Sequence, residues 1–185
     1  MKRLYIGGLI LVPYLLIAAI AVARLTFTHP SNLIPIFSVL MFFGACRPTR
    51  EFGFAVLTLI GLDIFITTHH YGYKLAPDQA FTWIFYLVAV HLGAIVLGQK
   101  ISRRRILGSS LLLSITYFAV SNFSVWFEWH MYPRTFAGLA ACYAAAIPFF
   151  RNSIVAEVVC SVLLFSLARY TETLLLGSRL RWACA

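Results

Sequence analysis

Repeated apolar runs, most of them closed by arginine or lysine, leave this chain few ways to fold. The runs are Met1 to Ala23, Leu33 to Cys46, Phe52 to Thr68, Ala80 to Gly98, Ile106 to about Phe127 and, with interruptions, Tyr132 to Leu167. A hydrocarbon core about 30 Å thick asks for about 20 apolar residues per helical crossing. With 61% hydrophobic and 11% charged residues, and a mean hydropathy of +0.86, the sequence describes a polytopic membrane protein. Residues 1–185 make one integral membrane domain, because no polar stretch is long enough for a second. Ala21-Val22-Ala23 mimics a signal-peptidase site, but the apolar run before it exceeds a usual signal core, so a retained first span is expected.

The most unusual stretch is YPRTFAGLAACYAAAIPFFRNSIVAE, from Tyr132 to Glu157. Pro133-Arg134 opens it, and Pro148 with Arg151-Asn152 interrupts it. The intervening piece, Thr135 to Phe150, would be roughly 24 Å of helix, short for a span. Ala137, Ala141 and Ala145 form a small-residue row of the kind that lets helices approach closely in lipid. The pattern predicts a short helix that dips in and returns to the same side, its broken end exposing backbone to a polar ligand.

Cation placement favours this reading. With six spans plus the re-entrant or outer helix, one side receives 11 cations and the other 4; counting a seventh span instead gives 9 and 6. The positive-inside rule therefore favours six spans with both termini cytoplasmic. The formal net charge of +9 follows from the same placement, and no basic stripe with interleaved aromatics suggests nucleic acid.

On that topology the outer side collects the unusual polar residues. Candidate solute-binding residues are His29, Asn32, Asp63, His69, His70, Asn122, Trp126, Tyr132, Arg151 and Asn152. Asp63 lies within a span, where an acid is costly and needs a partner; either His69 or Arg151 supplies it, or a cationic ligand group does. Glu157 suits the positive end of a helix beginning after Asn152, and Thr49 offers an N-cap for the third span, with Glu51 at that helix's positive end. Metal uptake is an alternative, requiring His29, His69 and His130 to converge, although His69-His70 spacing does not suit one site. The four cysteines show no CxxC spacing and read as small apolar residues. No GxSxG, HExxH, P-loop or paired-carboxylate motif is present, so no enzyme activity, cofactor or resident metal is expected.

Two segments carry a resemblance. Asn32 to Ala45 (NLIPIFSVLMFFGA), with Leu62-Asp63 and the His70-Tyr71-Gly72-Tyr73 turn, resembles an uncharacterised family of small bacterial membrane proteins. So does Asn122-Phe123-Ser124-Val125-Trp126 with the Tyr132 to Glu157 stretch, the likeness running from about Arg24 to Leu167. That family is in turn similar to the substrate-binding S components of energy-coupling-factor vitamin transporters, through Gly138, Pro148-Phe149-Phe150 and Asn152. The resemblance implies a six-helix bundle binding a vitamin-sized solute near its outer face, and a transmembrane scaffold with paired ATPases as partners. A small-residue helix face, Ala19/Ala23 or Ala89/Gly93, would turn toward that scaffold. Arg151-Asn152-Ser153 stands where biotin-type S components carry an acid and a lysine, so biotin does not carry over. A different class competes: an accessory subunit packing in a larger membrane complex and binding nothing small.

Overall fold

The computed structural model describes residues 10–26, 34–97 and 102–176, with side chains as far as 171. The described residues form helices and connections, without strands. In chain order the helices are α1 (Val12–Thr26), α2 (Ile36–Cys46), α3 (Phe52–Phe65), α4 (Asp78–Leu92), α5 (Arg103–Glu128) and α6 (Phe136–Leu176). A 3₁₀ turn, Thr49–Glu51, leads into α3; π-helical turns, Ile66–His70 and Gly93–Leu97, extend α3 and α4. Four stretches, Thr49–His70, Asp78–Leu97, Arg103–Glu128 and Phe136–Thr171, are long and apolar enough to cross a membrane.

The short helix α2 is the centre of the bundle. Every residue from Phe37 to Ala45 is buried, the signature of a helix enclosed by others. Its eleven residues reach only about 16 Å, half a hydrocarbon core, so α2 is a core element and not the short second span expected over Leu33 to Cys46. It packs chiefly on α4, α6 and α1. The approach to α4 is close enough that a side-chain carbon at Gly44 would collide with the Val90 carbonyl, and one at Gly93 with the Met41 carbonyl. The Ala89/Gly93 row expected to face a partner protein is thus consumed inside the bundle, with Ala89 fully buried.

The largest departure from expectation is α6. No re-entrant helix forms at Thr135 to Phe150, and there is no separate seventh span; one helix of 41 residues runs through Pro148, Arg151 and Asn152. The physical reason is the cost of open backbone in an apolar surrounding, several kilocalories per unsatisfied group. Continuing the helix past Pro148 forfeits one N–H bond, whereas a break would open several. Pro148 lies on the exposed side of α6.

The helix ends gather in two groups. At one end Gln79 Nε2 donates to Thr67 Oγ1 (2.7 Å), the Asp78 backbone N–H to Glu128 (3.1 Å) and Trp129 Nε1 to Asp78 (3.2 Å). At the other, Glu51 accepts from Tyr14 Oη (2.6 Å) and Arg47 Nε (2.7 Å), a bond that raises the Arg47 pKa above its ordinary value. Thr49 is the first residue of the 3₁₀ turn, and the N-cap position of α3 falls to Glu51, which makes no side-chain cap bond; its carboxylate ties α1 to the α2–α3 turn.

Candidate functional site

The inward faces of α5 and α6 are polar by design of their spacing. On α5, Ser110, Ser114, Tyr117 and Ser121 recur at four, three and four residues; on α6, Ser153, Glu157 and Ser161 recur at four. Both patterns put one stripe on one helical face. In a chain this apolar, such stripes turn inward, where hydroxyls find partners instead of lipid.

The lower part of this seam is closed. Ser110 Oγ donates to Ser161 Oγ (2.6 Å), which donates to Ser38 Oγ (2.8 Å), and the Ser38 hydroxyl donates in turn to the Glu157 carboxylate. The same carboxylate accepts the backbone N–H groups of Phe37 (3.0 Å) and Ser38 (2.7 Å). These are orphan donors at the start of α2, whose preceding residue, Pro35, offers no side-chain cap. Glu157, only 3% exposed, therefore caps a helix about 120 residues away in sequence. The carboxylate does sit at a positive helix end, but at that of α2 and not of its own helix.

One turn further along both stripes the seam opens. Between the Cys142–Asn122 contact and the Ser161–Ser110 bond, α6 advances nineteen residues (142 to 161) while α5 advances twelve (110 to 122). The helices cannot stay in register over that length, and a cavity of about 220 Å³ lies between them. Its polar wall is Ser114, Ser121, Asn122 and Ser153, with Tyr117; its apolar wall is Phe37, Phe118, Ala146, Phe149 and Phe150. Ser114 is 4% exposed and its hydroxyl has no hydrogen-bond partner. Asn122 Nδ2 is fixed on the Phe118 carbonyl (2.8 Å), which leaves its own Oδ1 uncommitted there. Phe118 and Phe150 stack across the cleft at 4.2 Å between centroids. Tyr117 Oη meets Thr82 Oγ1 at 3.2 Å.

Thr82 stands one turn before Tyr86 on α4, beside the buried charge of the bundle. Asp63, 7% exposed, pairs with Arg24, whose Nη1 also donates to Tyr86 Oη (3.2 Å). The expected partners His69 and Arg151 are not used. The acid is neutralised by a cation from α1, so this pair serves the packing of α1 on α3 and α4.

The other expected site residues scatter. His29 and Asn32 lie outside the described residues. His69 and His70 are exposed on the π-helical turn ending α3, with His69 stacked on Phe65 at 5.1 Å and bonded to Thr68 (2.8 Å). Trp126 Nε1 donates to the Pro133 carbonyl (2.9 Å), holding the α5–α6 connection, in which Tyr132 is half-buried. Arg151 is exposed in the middle of α6, and Asn152 is half-buried beside it. Of the eight that are described, only Asn122 lines the cleft. Ser114, Ser153 and the phenylalanine pair were missed, although the four-residue repeat of Ser153, Glu157 and Ser161 was a usable signal. Among the described residues no three His, Cys, Asp or Glu side chains gather as a metal site; His130 instead contacts Arg134 (2.9 Å).

Residues 7–176 match the model of one family, described as a family of unknown function (DUF6580). No curated protein and no solved structure matches the chain.

Proposed function

We propose a function from geometry, since the chain belongs to DUF6580 and that family's function is unknown: a non-enzymatic membrane protein that binds a small solute in the α5–α6 cleft and takes part in its uptake. One observation carries the reading. A buried hydroxyl without a partner is costly, about 1–3 kcal/mol, and Ser114, which lines the cavity together with Asn122 and Ser153, carries one. A bound solute would satisfy it.

Uptake of a vitamin-like molecule, with a transmembrane scaffold and ATPases as partners, is what the resemblance of Gly138, Pro148-Phe149-Phe150 and Asn152 to S components of energy-coupling-factor transporters implies, although α6 runs unbroken through those residues. On this reading the solute site is the α5–α6 cleft and not a cup of outer loops. The end carrying Arg47, Arg50, Arg103, Arg104 and Arg105 would face the cytoplasm, by the positive-inside rule. A second reading has its own observation: Ala137, Ala141 and Ala145 are all exposed on α6, a close-packing row that suits an accessory subunit docked in a larger complex.

The test is a thermal-shift screen of the detergent-purified full chain against vitamins, nucleobases and divalent metals. A saturable stabiliser is expected, and Ser114→Val should weaken it at least fivefold. Absence of any stabiliser, or one indifferent to Ser114→Val, would leave the accessory reading in possession.

A further inference from the structure

The chemistry of the cleft narrows what it would hold. Apart from Tyr117, no lining residue is ionisable. Glu157, one turn beyond Ser153, has its carboxylate occupied by the Phe37 and Ser38 N–H groups and the Ser38 hydroxyl, and Arg151 is exposed, outside the lining. A charged ligand would be desolvated here without a counter-ion, at a cost of several kilocalories. A neutral one would not.

Shape and wall chemistry narrow it further. An apolar cavity of about 150 Å³ holds benzene; on that scale 220 Å³ admits one ring with a substituent, or two small fused rings. The stacked pair Phe118–Phe150 and Phe149, half open to the outside of the bundle, present aromatic surface, on which flat rings stack with useful energy whatever their identity. The polar groups are spread along α5 from Ser114 to Asn122, roughly 12 Å of helix, with Ser153 on α6, so hydrogen-bonding groups would be wanted at the ring's edges and not on its faces. We propose that the cleft selects an uncharged, flat heteroaromatic molecule of one or two rings, with hydrogen-bonding groups on its edges. The proposal rests on the reading that the cleft holds a solute.

The experiment compares matched probes on the full chain in detergent, by saturable thermal shift and by equilibrium dialysis. Nicotinamide, uracil and adenine are neutral rings; nicotinate has the same outline as nicotinamide with a negative charge; cyclohexanecarboxamide keeps the amide and loses the flat ring. At least one neutral ring is expected to bind at least tenfold more tightly than both nicotinate and cyclohexanecarboxamide. Phe149→Leu, at a half-exposed position with little bearing on folding, should weaken that probe at least fivefold, and Asn122→Ala likewise. If nicotinate or cyclohexanecarboxamide binds as well as the rings and Ser114→Val weakens it, selection for neutral rings is overturned while the solute site stands. If no probe binds, the ring inference is overturned, and the solute site is judged by the wider screen and Ser114→Val alone.

Discussion

Glu157 shows how far a residue's role can lie from its neighbours in sequence. Its spacing from Ser153 and Ser161 is local and visible, but what it caps is the start of α2, reached only when the bundle closes. Removing a cap costs about 0.5–2 kcal/mol, and stranding buried donors adds about 1–3 kcal/mol. Glu157→Ala is therefore expected to destabilise the protein by roughly 2–4 kcal/mol, read as a lowered midpoint of thermal or denaturant unfolding in detergent. Glu157→Gln keeps one carbonyl acceptor for an α2 N–H and should lose distinctly less. Equal losses for the two would mean that the negative charge, and not the hydrogen bonding, holds α2 in place. Asp63 teaches the same lesson from the other side. An acid inside a span promised a partner, and the promise holds, but Arg24 could not be chosen over His69 or Arg151 from spacing, because ion pairing across helices depends on packing.

At the scale of elements, apolar runs and their flanking cations are enough to place six helices: α3, α4 and α5 fall where hydropathy puts them, and α1 (Val12–Thr26) occupies the described part of the first run. Two elements were not legible. For α2, length alone separates a span from a core helix, and only burial from Phe37 to Ala45 shows it to be enclosed. For α6, Pro148, Arg151 and Asn152 resemble a break, yet a proline costs one backbone bond whereas a break costs several. The unbroken helix gives a positional prediction. In a background without the native cysteines, Arg134→Cys should react with an impermeant maleimide from one side of the membrane. Arg169→Cys, about 52 Å further along the chain axis, should react only from the other, and positions between Ser153 and Ser161 should not react. Labelling of Arg151→Cys from the same side as Arg134→Cys would restore the re-entrant geometry, and labelling of Arg169→Cys from that side would restore the seven-span one; either result would remove the cleft.

At the scale of the whole molecule, the two groups of helix ends differ in charge, and that difference decides orientation. Arg47, Arg50, Arg103, Arg104 and Arg105 belong to one end, whereas the other presents Lys74 and Arg134 with an aromatic fringe of Tyr71, Tyr73, Trp126 and Trp129. A polar and aromatic end opposite a basic one is what the positive-inside rule and interfacial anchoring together produce. Cysteine placed at Tyr73 or at Arg50, both exposed, should then be labelled from opposite sides in intact cells: Tyr73→Cys from outside, and Arg50→Cys only after permeabilisation. The reverse pattern would set the basic end outside, and with it would fall the assignment of any ATPase partner to that end. The solute cleft would survive that result, because it lies between α5 and α6 at mid-length and depends on neither end. Orientation and binding are thus separable claims: the first is written in the loop charges, the second in a hydroxyl without a partner inside an aromatic wall.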